Sequence, residues 1–138
     1  MAENILDVRN LRTYYRTRLK ENVCAVDGVS LQLKEGRVLG IAGESGCGKS
    51  TLALSLMGFY FPPLHYDSGE LVLDGTDIMK IPYETLRKNY LGTEIAYIPQ
   101  AAMNALNQTR KISRFVVDIL TEHRPELSRE QMLNMAVE

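Results

Sequence analysis

Gly43-Glu44-Ser45-Gly46-Cys47-Gly48-Lys49-Ser50-Thr51 is the stretch on which the fold turns. It fits the phosphate-loop pattern G-x-x-x-x-G-K-[ST], and its context fits too. An apolar run, Val38-Leu39-Gly40-Ile41-Ala42, precedes it, and a helix-forming segment, Thr51 to Met57, follows. Each fixed position has a physical task. Glycines remove Cβ atoms and permit positive φ, so backbone N–H groups can curl around an anionic oxygen cluster. The helix that starts here adds unpaired N–H groups and the positive end of its dipole. Lys49 supplies a point charge for the β/γ-phosphates, and the Ser50 hydroxyl is placed to ligate Mg²⁺. At average glycine usage, a chain of this length meets the four fixed positions by accident on the order of half a percent of the time. Nucleotide phosphate binding, through Gly43, Glu44, Ser45, Gly46, Cys47, Gly48, Lys49, Ser50 and Thr51, is the expectation.

Working outward, Ile5 to Leu11 and Val29 to Leu33 read as strands, the second with clean period-two alternation between Asp27-Gly28 and Glu35-Gly36 turn signals. Val38 to Ala42 does not alternate, which predicts a strand buried on both faces of a parallel sheet. Ser68 to Ile78 reads as strand, Asp-Gly turn and return. A short helix around Tyr83 to Lys88 follows, and Ile95 to Ile98 reads as a strand ending at Pro99-Gln100. Ile112 to Leu120 has helical spacing, and Ser128-Arg129-Glu130-Gln131 is a capping box opening a last helix that still runs at Glu138.

Bulk properties narrow the class. The 138 residues suit about one domain, and 16 basic against 17 acidic side chains give a net charge of −1, so no basic field argues for nucleic acid. No run approaches the ~18 apolar residues of a membrane span. The N-terminus has no signal-peptide pattern, and two cysteines are too few for a disulfide scaffold. A soluble chain in a reducing cytosol is expected, with any membrane role peripheral.

With the loop, the hairpin and Gln100 in place, the chain resembles the nucleotide-binding subunit of ABC transporters, and within it the peptide/nickel importer subfamily. The resemblance runs from Val8 to the last helix. It is carried by Ala25-Val26-Asp27-Gly28-Val29-Ser30, Gly40 to Gly46 with Glu44-Ser45, Ser68-Gly69-Glu70 with Asp74-Gly75, and Ile95-Ala96-Tyr97-Ile98-Pro99-Gln100. Met103 to Asn107 also resembles the subfamily, although Gln108 stands where it usually has proline. The implied fold is α/β: an antiparallel β-subdomain plus an incomplete RecA-like core over residues 1–100, and the start of the helical subdomain over 101–138. The resemblance implies ATP and Mg²⁺ as ligands. It implies that Tyr15, with Tyr14 as the alternative, stacks on adenine. It also implies that Gln100 touches Mg²⁺ and the attacking water, making Gln100 and Lys49 the catalytic candidates and Ser50 and Gln100 the metal ligands.

The family hydrolyses ATP between two subunits and needs a Leu-Ser-Gly-Gly signature, a strand ending Asp-Glu and a later histidine. The chain has none of them. Leu127-Ser128-Arg129-Glu130 lacks the glycines and suits a helix cap. Leu71 to Asp74 belongs to a hairpin, and Phe115 to Asp118 to an amphipathic helix. His65 and His123 sit in loop-like contexts and read as ordinary surface residues. The chain is thus expected to stop partway through the helical subdomain, to bind Mg-ATP without turnover, and to self-associate through uncovered apolar surface. The implied setting is the cytoplasmic side of a membrane, beside permease subunits and a second, homologous or identical ATPase subunit. The implied cargo is peptides, or related solutes such as oligosaccharides or nickel. A non-transport P-loop NTPase and a non-catalytic nucleotide-binding module are the alternatives.

Overall fold

A computed structural model of the chain describes residues 4–100, 106, 107 and 109–136. They fall into two compact units, Met1–Leu86 and Arg87–Glu138.

The first unit is built on an antiparallel four-stranded sheet. Its long strands are β1 (Asn4–Arg16) and β2 (Asn22–Lys34), with β3 (Leu64–Leu73) and the short β4 (Thr76–Asp77) beyond. Their order is β2-β1-β3-β4. A single residue decides which side chains of β1 face the core. Strict alternation from Val8 would bury residues 10, 12 and 14. Instead β1 carries one extra residue against both neighbours: Val8 to Leu11 spans Leu31 to Val29 on β2, and Arg9 to Arg12 spans Glu70 to Ser68 on β3. Asn10 sits at this bulge with φ 48°, a left-handed conformation that asparagine tolerates better than most residues. Its N–H, lost to the ladder, donates to Ser30 Oγ at 2.9 Å. After the bulge Leu11 and Thr13 join Val8 in the core. Opposite, Gly69 has φ 112°, and a Cβ there would stand 2.6 Å from Leu11 Cα, so the two backbones approach only because the side chain is absent.

Val26, Leu64, Leu71, Leu73 and Ile78 complete the apolar face with Leu86. The Asp74-Gly75 turn between β3 and β4 has positive φ at both residues, 45° and 75°, the twist that a two-residue hairpin requires. Helix α1 (Lys49–Ser55) packs on β1 through its buried Ser55. Its last carbonyl, that of Ser55, accepts from Tyr60 Oη at 2.9 Å; burial holds the Tyr60 hydroxyl pKa above the usual tyrosine value. Helix α2 (Tyr83–Asn89) buries Leu86 at the end of this unit.

Two expected strands are not formed. Val38 to Ala42 has no ladder, and its side chains are open to solvent, Val38 being 98% exposed. Ile95 to Ile98 makes only an isolated bridge between Leu91 and Ile95. A parallel strand buried on both faces needs a hydrogen-bonding neighbour and a covering layer, and neither segment has a ladder neighbour among the described residues. Among the described residues the antiparallel half of the expected α/β fold is therefore formed, and the parallel core is not.

The second unit holds helices α3 (Ile112–His123) and α4 (Arg129–Met135). Arg87 pairs with Glu122 of α3, and Met132 of α4, buried, accepts from Thr121 Oγ1 at 3.8 Å. The capping box forms as read: Gln131 N–H donates to Ser128 Oγ at 3.3 Å, and Ser128 N–H donates to Gln131 Oε1 at 2.8 Å. The helix it opens ends at Met135, short of the expected run to Glu138, and residues 137–138 lie outside the described ones. The histidines are not in loops. His65 lies on β3, and His123 closes α3, where a Cβ on Gly92 would meet its Nε2 at 2.5 Å.

Candidate functional site

The phosphate-loop residues form one turn wrapped around their own lysine. Lys49 Nζ donates to the carbonyls of Gly43 at 2.7 Å and Glu44 at 2.6 Å, and lies 3.5 Å from Cys47 Sγ. An ammonium has three donors, so all three directions are engaged by the loop itself. The turn requires its glycines. Gly46 and Gly48 have φ 83° and 94°, flanking Cys47 in the alternation that makes an anion-binding concavity. A Cβ on Gly48 would stand 2.9 Å from the Ala25 carbonyl of β2. At Gly43 it would stand 2.7 Å from Cys47 Sγ, so Cys47, read as a free position, packs where the loop is tightest.

Gly48 is the N-cap of α1 and supplies no side-chain acceptor to the first turn. The N–H groups that a serine or aspartate cap would take are left to a ligand. Glu44, Ser45, Gly46, Cys47 and Ser50 are exposed, so the loop is open along its length. An anionic phosphate fits this chemistry: a cation at the mouth of a backbone cradle, with no carboxylate among its hydrogen bonds. For Mg²⁺, the Ser50 hydroxyl is a suitable hard oxygen ligand beside Lys49. Among the described residues no cluster of three His, Cys, Asp or Glu could hold a metal alone. One protein oxygen plus phosphate oxygens is a usual mode for this ion.

Tyr14 and Tyr15, adjacent on β1, face opposite ways, and the bulge at Asn10 sets which of them faces α1. Tyr15 points toward α1, its hydroxyl 3.1 Å from Thr51 Oγ1. Tyr14 instead stacks on His65, with ring centroids 5.3 Å apart and planes 18° apart, and the Arg16 guanidinium lies 5.7 Å from its ring centroid. The loop, Tyr15 and Thr51 are thus brought together, and Tyr14 is not. Gln100 belongs to the second unit, exposed at the end of the Ile95 segment. Residues 103–105 and 108, which carried part of the resemblance, lie outside the described residues.

Sequence reading missed Thr13 and Ser55, buried hydroxyl residues whose side chains meet at 3.3 Å under the loop helix. The signal was available: Thr13 and Tyr15 share a strand face, and Thr51 and Ser55 share a helix face. It was hidden because the bulge makes Thr13 an inward residue.

Among the described residues, no helix is long and apolar enough to cross a membrane. Comparison with known proteins finds relatives over nearly the whole chain. The oligopeptide transport ATP-binding protein OppD of Bacillus subtilis is 33% identical over 135 residues, 97% of this chain and 37% of its own length. The dipeptide transport ATP-binding protein DppD of Lactococcus lactis is 32% identical, over 99% of this chain and 38% of its length. The probable D,D-dipeptide transport ATP-binding protein DdpD of Escherichia coli is 34% identical, over 94% and 39%. The chain therefore spans less than two fifths of the length of these relatives. The ABC transporter family profile matches residues 26–136, most of the sequence, and the chain belongs to that family.

Proposed function

We propose that this chain is the phosphate-gripping part of an ATP-binding subunit that energises an importer of peptides or of related solutes such as oligosaccharides. The observation that carries the reading is Lys49, whose ammonium is held at the loop by the Gly43 and Glu44 carbonyls. A nucleotide's terminal phosphates offer the same ammonium stronger, anionic acceptors, and Gly48 leaves the first turn of α1 uncapped for them. Ser50 would serve as a Mg²⁺ ligand, Gln100 takes its Mg²⁺ role from the family resemblance, and Tyr15 is the surface for adenine. The cargo class follows the names of the relatives, which are peptide transport ATP-binding proteins. In the assembled transporter this part sits peripherally on the cytoplasmic side of the membrane, against permease subunits and a second ATPase subunit.

The chain binds Mg-ATP but does not turn it over. Phosphoryl transfer depends on positioned charge and an activated nucleophile, and the sequence holds no Leu-Ser-Gly-Gly and no strand ending Asp-Glu. Titration calorimetry with Mg-ATP tests the first statement. Lys49→Ala should weaken binding by the worth of a charged hydrogen bond, about 1.5–3 kcal/mol, or roughly 10- to 150-fold. Equal affinity for the two proteins would remove Lys49 from the site. A steady-state ATPase rate abolished by Lys49→Ala would overturn the absence of turnover.

A further inference from the structure

Four hydroxyl side chains join the strand that carries Tyr15 to the helix that carries Lys49. Tyr15 Oη lies 3.1 Å from Thr51 Oγ1, and Thr13 Oγ1 lies 3.3 Å from Ser55 Oγ. Ser55 Oγ also donates to the Thr51 carbonyl at 2.7 Å, tying the two contacts through the helix backbone. The spacing is commensurate. Alternate residues of a strand stand about 6.8 Å apart, and residues four apart on a helix are displaced by about 6.0 Å along its axis. Thr13 and Tyr15 therefore meet Ser55 and Thr51 as two successive rungs. The inner rung is dry: Thr13 is 1% exposed and Ser55 is fully buried. A buried hydroxyl pair fixes one relative placement of two elements, because sliding either one strands a polar group.

We propose that this two-rung hydroxyl ladder sets the register between the base-contacting strand and the phosphate-gripping helix, with Thr13 and Ser55 as positioning residues that touch no ligand. The inference rests on the reading of Tyr15 as the adenine surface. The phosphate loop is continuous with α1, so the phosphate grip travels with the helix. Tyr15 is on β1. Only a ligand that touches both elements at once senses their register, and ATP does so whereas tripolyphosphate does not.

That difference gives the test. Mg-ATP and Mg-tripolyphosphate affinities are measured by calorimetry for the 138-residue chain and for Thr13→Val and Ser55→Ala, with thermal melting alongside. Each variant should bind Mg-ATP three- to tenfold more weakly while Mg-tripolyphosphate affinity stays within twofold. The double variant should be no worse than the more affected single one, because both remove the same rung. Thr13→Ser, which keeps the hydroxyl, should bind as the parent does. Equal weakening of both ligands, or a lower melting temperature with both affinities unchanged, would reduce the ladder to a structural contact and overturn the proposal. If the parent chain binds Mg-ATP no better than Mg-tripolyphosphate, Tyr15 contributes nothing and the ladder fails with it. If the parent binds neither, it is the nucleotide-binding reading that has failed.

Discussion

At the scale of single residues, the loop shows how much a motif states and where it is silent. The pattern names Gly43, Gly48, Lys49 and Ser50 because the chemistry of gripping phosphate leaves few alternatives there. It is silent about Cys47. In the structure Cys47 is exposed, yet its Sγ lies 3.5 Å from Lys49 Nζ and would collide with any side chain at Gly43. A bulky group added to the thiol therefore has to share space with the lysine and with an arriving phosphate. A maleimide should label Cys47 in a Cys24→Ser background, weaken Mg-ATP binding severalfold or more, and be slowed by saturating Mg-ATP. Equal labelling rates with and without nucleotide would show that the thiol and the phosphates do not compete. Tyr14 and Tyr15 mark another limit of sequence reading. Adjacent strand residues face opposite ways, so one of them faced the helix, but the sequence alone did not reveal which.

At the scale of elements, the answer to that ambiguity is a one-residue bulge five positions upstream. The left-handed backbone at Asn10 resets the alternation of β1, which brings Thr13 into the core and Tyr15 to α1. A β-branched residue at φ 48° is strained by about 1–2 kcal/mol. Asn10→Val should therefore lower the melting temperature by several degrees, since about 1 kcal/mol is worth roughly 4 °C in a domain of this size. Asn10→Gly, free of that strain, should stay close to the parent. If Val and Gly are tolerated alike, the bulge does not hold the register. What was legible at this scale were elements whose signals are local. The capping box at Ser128, the Asp74-Gly75 hairpin and the helical spacing over Ile112 to Leu120 each depend on neighbours a few residues away. Val38 to Ala42 and Ile95 to Ile98 were misread for the opposite reason. Their composition suits a strand, but a strand exists only with a partner, and partnership is not a local property.

At the scale of the molecule, the antiparallel sheet finds its ladder partners among the described residues and the parallel element does not. Val38, Leu39 and Ile41 are 98%, 44% and 45% exposed, in a run of five residues with no proline and no charge. Such a segment, which makes no ladder among the described residues, offers backbone groups as well as apolar side chains, and so can add to another strand. Magnitudes decide how strongly. Burying one Val, Leu or Ile side chain fully is worth about 1.5–3 kcal/mol, and because Leu39 and Ile41 are already more than half covered, the three give on the order of 3–6 kcal/mol per chain before any loss. Bringing two chains together costs about 4–15 kcal/mol in lost freedom. The balance is close to zero, which predicts weak, concentration-dependent self-association rather than a fixed dimer. The mass measured by light scattering should rise steadily with protein concentration. Val38→Lys should suppress the rise, because a second chain would have to desolvate an ammonium to pair there. It should leave Mg-ATP affinity unchanged, since Val38 lies outside the loop that begins at Gly43. A monodisperse monomer over a wide concentration range would mean that this segment is covered in solution, and that the balance of side-chain burial against lost freedom omits what covers it.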